Sequence, residues 1–137
     1  MGVILDSSIT IRAERAKITE VNLLRLVREA TGDPIIALSA IGLTEMVHGI
    51  YRADLPERSL YRRNFLDQLL RDLPVYEYTI EVAMLAGQID GEQTAIGNRI
   101  PMVDLMIGAT ALRESFSIMT HNLRHFQMIP NLNVIPF

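Results

Sequence analysis

The sequence predicts an α/β domain built in three layers, with helices on both faces of a central, mainly parallel sheet. Three observations predict it. Short apolar runs end abruptly at polar residues, as buried strands of a parallel sheet do. Between them lie stretches whose apolar residues recur at helical spacing. The two kinds of segment alternate, which implies right-handed crossovers between neighbouring strands. With 137 residues, 49% apolar and 21% charged, the chain fits a single domain over 1–137. Folding a domain of that size buries roughly two-thirds of the surface its unfolded chain exposes.

The first strand runs from Gly2 to Leu5 and stops at Asp6-Ser7-Ser8. From Thr19 to Ala30 the positions Val21, Leu24, Val27 and Leu23, Leu26, Ala30 mark a helix, closed by Gly32 and Pro34. Ile35 to Leu38 is a second strand, after which Ser39 caps a helix from about Ile41 to Tyr51 that carries Glu45. An Arg-rich helix spans about Ser59 to Arg71 and ends before Pro74. Val75 to Tyr78 is a short strand, and Thr79 caps a helix reaching about Ile96. Pro101 opens a helix from Met102 to Ser115 that is apolar almost all round, and therefore deeply buried. Strands follow from Ser117 to Met119, into Thr120, and from Asn133 to Ile135. Met84, Met102, Met106 and Met119 are read as core filling.

The absence of cysteine removes disulfides, thiolate zinc sites and cysteine nucleophiles together. A metal must then be held by oxygen or imidazole. The opening MGVILDSSIT reaches a charge at Asp6 with no basic lead and no long apolar region, so it is not a secretory signal. Gly2 leads into an apparent core strand, against a myristoylation reading. A reducing cytoplasm and no membrane segment are the expectations. Net charge is −3 with no basic tract, unlike proteins that grip duplex nucleic acid by charge alone. Among the basic residues only Lys17 is a lysine.

Most of the sixteen acidic residues have an ordinary setting. Glu14, Glu20, Glu29, Glu57, Asp67, Asp72 and Glu114 lie among other charges and are expected to be solvated, and Asp90 and Glu92 fit a polar helix face. Asp6, Glu45 and Asp104 differ, because apolar residues surround each of them. An unpaired carboxylate in such company costs several kcal/mol, so each needs a cation, a donor cluster or a pocket. Capping is the simpler reading for Asp6 and Asp104 taken singly. Jointly, however, all three fall at strand ends or in the first turns of helices, and can share one edge of the sheet, where open α/β sheets bind ligands. Three carboxylates without a nearby lysine suit a hard divalent cation, Mg²⁺ or Mn²⁺. Such an ion supports phosphodiester hydrolysis.

Four blocks carry a family resemblance: Val3 to Ser8, Leu38 to Gly49, Ile100 to Leu112, and Met119 to Phe126. In order and spacing they resemble the PIN domains, specifically the VapC-type toxins of prokaryotic toxin–antitoxin pairs. The resemblance implies a PIN-like α/β fold in which Asp6, Glu45 and Asp104 are catalytic, metal-binding carboxylates and Ser8 and Thr120 support Asp6. It places Asn122 where the family often has an acid, so a fourth carboxylate is missing. It further implies cleavage of RNA, a homodimer, and inhibition by a cognate antitoxin whose tail enters the acidic groove.

Other functions weigh less. A dehalogenase-type phosphatase needs a second Asp where Ser8 stands, and both that family and phosphoacceptor receiver domains need a late lysine that this chain lacks. A catalytically silent PIN-like binding or regulatory module has no reason to keep repelling carboxylates in an apolar setting. His48 and His125 could assist the chemistry but are read first as structural or solvated, and Arg99, Arg113 and Arg124 as minor candidates for phosphate contact. The helices Thr19–Ala30 and Ser59–Arg71 are expected to present a partner surface, with Leu60, Tyr61 and Phe65 exposed beside Arg62 and Arg63. The apolar Met102–Ser115 helix suggests an uncovered patch that dimerisation closes.

Overall fold

The computed structural model describes residues 1–32 and 34–137. Five strands, β1 (Gly2–Leu5), β2 (Ile35–Ser39), β3 (Val75–Tyr76), β4 (Ser117–Thr120) and β5 (Val134–Pro136), form one sheet in the order β3-β2-β1-β4-β5. Every pairing is parallel. The expected third strand is shorter than the apolar run suggested, closing at Tyr76. Successive strands step outward on one side of β1 and then jump to β4 on the other side. That reversal opens a crevice beyond the carboxyl ends of β1 and β4.

Seven helices cover the sheet among the described residues: α1 (Ser8–Arg15), α2 (Glu20–Thr31), α3 (Ala40–Tyr51), α4 (Pro56–Asp72), α5 (Ile80–Ala95), α6 (Met102–Arg113) and α7 (Leu123–Gln127). The three helix starts expected at Thr19, Ser39 and Thr79 all carry side-chain caps, accepting from the backbone N–H of Asn22, Gly42 and Val82. Each cap satisfies a donor that the first turn leaves without an intrahelical partner. Gly32, with φ of 76°, ends α2 in the left-handed conformation glycine adopts without strain.

The hydrophobic core forms two clusters, one per face of the sheet. Val3, Leu5 and Leu38 project into the first with Leu23, Leu24 and Val27 of α2 and Phe65 and Leu69 of α4. Ile4, Ala37 and Ile118 project into the second with Val82, Leu105, Ile107 and Phe126. The alternation along β1 confirms a sheet covered on both faces. In α6, Gly108 lets the helix approach the loop after α7, since a Cβ there would collide with Ile129.

Several expectations need correction. α1 and α7 are helices that the apolar pattern does not predict. Glu20, expected in solvent, is 4% exposed, whereas Val21 beside it is 71% exposed. The buried face keeps the expected Leu23, Leu24 and Val27, and Glu20, three and four residues before Leu23 and Leu24, falls on it while Val21 does not. Met84 and Met102 are exposed rather than core, and the first turn of α6 is open to solvent although its centre is buried. Leu60 and Tyr61 are exposed as expected, but Phe65 is buried. Arg62 is drawn inward to Glu14 Oε2 at 2.9 Å and the carbonyl of Gly49 at 2.6 Å. Arg63 sits over the ring of Tyr51.

Candidate active site

β1 delivers Asp6 to the crevice, and its backbone N–H prolongs the ladder by donating to the carbonyl of Met119 at 3.0 Å. The side chain is 1% exposed. Ser8 Oγ and Thr120 Oγ1 both donate to Asp6 Oδ2, at 2.7 and 2.8 Å. Asp6 Oδ1 is buried and has no hydrogen-bond partner among the described residues. An ionised oxygen left in that state costs several kcal/mol unless a positive group meets it. Ser8 and Thr120 thus both engage the same oxygen of Asp6.

α3 leaves the carboxyl end of β2 and carries Glu45 just past its first turn, where Ser7 Oγ donates to Glu45 Oε1 at 2.6 Å. Burial raises the Glu45 carboxyl above its ordinary range, the bond from Ser7 opposes this, and the charges of Asp6 and Asp104 raise it further. α6 runs antiparallel to the strands, so its first turn lies at the same edge and holds Asp104. Burial raises Asp104 as well, against the hydrogen bond from His125, and the charge of Asp6 adds to the rise. His125 Nδ1 lies 2.6 Å from Asp104 Oδ2. The three carboxylates therefore stand near enough to repel one another.

Asn122 enters differently from the acids. Its backbone N–H donates to Thr120 Oγ1 at 2.9 Å, so its place in the turn orients the hydroxyl that serves Asp6. Among the described residues no three His, Asp or Glu side chains are gathered as a preformed ligand cluster. Each carboxylate is instead engaged by its own donor. A divalent cation nevertheless fits the donor set: hard oxygens, one of them buried and unpartnered, beside two more carboxylates whose ionisation the site disfavours.

Two residues beside the carboxylates are absent from the set the sequence predicts. Ser7 shares the Ser-Ser doublet after Asp6, and the doublet is the available signal. His125, expected to be structural or solvated, instead meets Asp104, and nothing local in the sequence ties it to a residue 21 positions earlier. A cleft of about 630 Å³ opens beside Glu45, lined by Ser7, Ile11 and Glu14 of the α1 segment, His48 of α3, and Tyr61 and Arg62 of α4. This groove lies among α1, α3 and α4.

Comparison with known proteins identifies the family. The family model for the PIN domain matches residues 3–130. A ribonuclease VapC of Rickettsia bellii is 30% identical over 135 residues, covering 98% of this chain and 96% of that one. A tRNA(fMet)-specific endonuclease VapC of Salmonella typhimurium is 29% identical over 99 residues, 72% of this chain and 73% of that one. Among solved structures, DNA-bound VapBC from Salmonella typhimurium superposes with a TM-score of 0.81 at 25% identity, covering 99% of this chain and 98% of that one. VapBC2 of Rickettsia felis, bound to a promoter fragment, has a TM-score of 0.83 at 23% identity, covering 100% and 99%.

Proposed function

Since the chain belongs to the PIN-domain family, we propose that it is a divalent-metal-dependent endoribonuclease, the toxin of a toxin–antitoxin pair acting in the cytoplasm. The observation that carries this reading is Asp6: one oxygen held by two hydroxyls, the other buried and unpartnered, beside two carboxylates with raised pKa. VapC relatives that are ribonucleases by name supply the reaction class.

Asp6, Glu45 and Asp104 are the residues that would hold Mg²⁺ or Mn²⁺. When bound, the ion supplies a nucleophilic hydroxide at neutral pH and offsets charge developing on the phosphoryl oxygens. The chain's own residues do the rest. Ser8 and Thr120 keep Asp6 in one rotamer with Oδ1 left free of hydrogen bonds, and Asn122 orients Thr120. Ser7 holds Glu45, and His125 holds Asp104, so that neither acid collapses against a neighbour. Metal affinity should fall with acidity over a range above that of ordinary carboxylates, because Glu45 and Asp104 take up protons more readily.

An antitoxin is the partner that the VapBC assembly favours, and the cleft beside Glu45, lined by Tyr61, Phe65 and Leu66 as well as by the Glu14–Arg62 pair, offers a groove for its segment. Homodimerisation is supported by exposed apolar residues: Ile80 and Met84 on α5, and Met102 and Val103 opening α6. The test of function is cleavage of single-stranded RNA by purified protein with Mg²⁺ or Mn²⁺, abolished by EDTA. Failure to cut any RNA with either ion would remove the enzymatic reading in favour of a binding module. Light scattering that gives 15.4 kDa rather than twice that mass at micromolar concentration would remove the dimer.

A further inference from the structure

A nuclease that cuts within a strand must hold phosphates on either side of the bond it breaks, and the three carboxylates cannot do so. We propose that Arg12 and His121, with Arg15 beside them, form a subsite for an RNA backbone phosphate next to the scissile position. The inference rests on the nuclease reading above.

A shallow depression of about 470 Å³ adjoins the cleft beside Glu45, sharing Ile11 and Arg15 of α1 with it. Ser8, Arg12, Arg15, His121 and Asn122 line it, and no acid does. Arg12 Nη1 lies 3.0 Å from Nε2 and 3.3 Å from Nδ1 of His121. Arginine only donates, so this contact uses the imidazole as an acceptor and leaves the guanidinium charge uncompensated. Three arginines elsewhere are neutralised, Arg25 by Glu29 at 2.8 Å, Arg58 by Asp54 at 3.1 Å and Arg62 by Glu14 at 2.9 Å. Among the described residues, Arg12 and Arg15 have no such partner. In a chain of net charge −3, two unpaired arginines beside an imidazole form a local cationic spot that suits an anion with several acceptor oxygens.

Its position ties it to the reaction. The backbone N–H of His121 donates to Ser8 Oγ at 3.0 Å, and the same hydroxyl donates to Asp6 Oδ2 at 2.7 Å. One hydroxyl therefore separates the cationic spot from the buried carboxylate. A strand whose scissile phosphate sits at the acids passes this depression on its way across α1, and its phosphate there meets Arg12. Such contacts fix register without reading bases.

The experiment measures binding of a fluorescent single-stranded oligoribonucleotide in EDTA over a salt series, alongside steady-state cleavage with Mn²⁺. Arg12→Ala and His121→Ala are compared with Arg12→Lys and with Arg25→Ala, whose arginine lies on α2. Arg12→Ala should weaken binding about tenfold and lower the salt slope by about 0.7, the share of a single neutralised phosphate. KM should rise while kcat stays within about twofold, the melting temperature should not move, and His121→Ala should act in the same sense. Arg12→Lys should recover most of the affinity, and Arg25→Ala should match the unaltered protein. If the unaltered protein cleaves RNA but Arg12→Ala binds with equal affinity and slope, the subsite is wrong and the nuclease stands. If the protein binds RNA through Arg12 yet no metal supports cleavage, the nuclease reading fails and the subsite stands. No RNA binding by the unaltered protein would overturn both.

Discussion

Asp6 and Glu20 are the two most deeply buried acids among the described residues, 1% and 4% exposed, and each keeps one buried oxygen without a hydrogen-bond partner. Their surroundings answer the same problem differently. Asp6 faces hydroxyl donors on one oxygen and two further carboxylates across the crevice. Glu20 opens α2 against the end of α4, where its hydrogen-bond partner is Asp72. Burial pushes Glu20 up to about 7, the bond and charge of Asp72 push the same way, and Arg28 and Arg71 pull against them. A carboxyl–carboxylate pair resolves its repulsion with a proton that one acid donates to the other. Asp6 has hydroxyl donors on one oxygen instead, and its spare oxygen is the one proposed above to meet a cation. Burial of an acid therefore says little about function until its donors are known.

The largest effect expected from this contrast is at Asp104. Asp104→Asn removes a proposed metal ligand and should abolish metal-dependent RNA cleavage. The same change also removes a charge that burial and Asp6 disfavour, so metal-free stability should hold or rise by roughly 1 kcal/mol. Melts in EDTA beside a cleavage assay distinguish this from helix capping, which predicts a loss of about 1 kcal/mol with activity kept. A destabilised but active variant would sink the catalytic assignment.

Glu20 should dominate the pH dependence of stability instead. Its folded pKa, about 7, lies above the ordinary 4.5, so between those values the native state holds the extra proton. Stability from this pair is fully present below about 4.5 and is lost as pH rises through about 7, a change on the order of 3 kcal/mol. Urea titrations at both ends of that window should show the loss. Glu20→Gln, which can still donate to Asp72, should flatten it without touching cleavage. A stability profile unchanged by Glu20→Gln would contradict the shared proton.

Smaller effects test the donors around the acids. Thr120→Val strips one of the two hydroxyls from Asp6 Oδ2 and should cost about 1–2 kcal/mol, together with weaker Mn²⁺ binding by calorimetry. Unaltered metal affinity would mean that the hydroxyl serves packing alone. Ser7→Ala removes the hydrogen bond that favours the ionised form of Glu45, so the Glu45 carboxyl should titrate at still higher pH by NMR in metal-free protein. A downward shift would show that another donor holds it.

The parts of the fold legible in the sequence are those that neighbouring residues encode. The caps at Thr19, Ser39 and Thr79 stand within three residues of the donors they satisfy, and the strands are short apolar runs with plain ends. α1 is hidden because no glycine or proline closes it. Lys17 takes the left-handed position at φ of 55°, and the backbone N–H of Ile18 reaches back to the carbonyl of Ala13, so a glycine-type terminus is made by a lysine. α7 spans five residues without a side-chain cap, too little for periodicity to register. Ser8 and Thr120 are reached through the family resemblance, since no local pattern relates residues 112 positions apart.

Local sequence alone carries the alternation of strands and helices, and hence that Asp6, Glu45 and Asp104 fall at a strand end or in the first turns of helices, where they can share one edge of a parallel sheet. Those properties follow from hydrophobic period and capping, which act over a few residues. Only the tertiary structure decided which oxygen of Asp6 stays unpartnered, that Ser7 and His125 hold the other two acids, and that Glu20 rather than its apolar neighbour Val21 turns inward. Each of those outcomes depends on strand order and helix docking, which bring together groups 21 to 114 residues apart. Burial and hydrogen bonding at such contacts are set by the completed packing, and no local stretch of chain contains them.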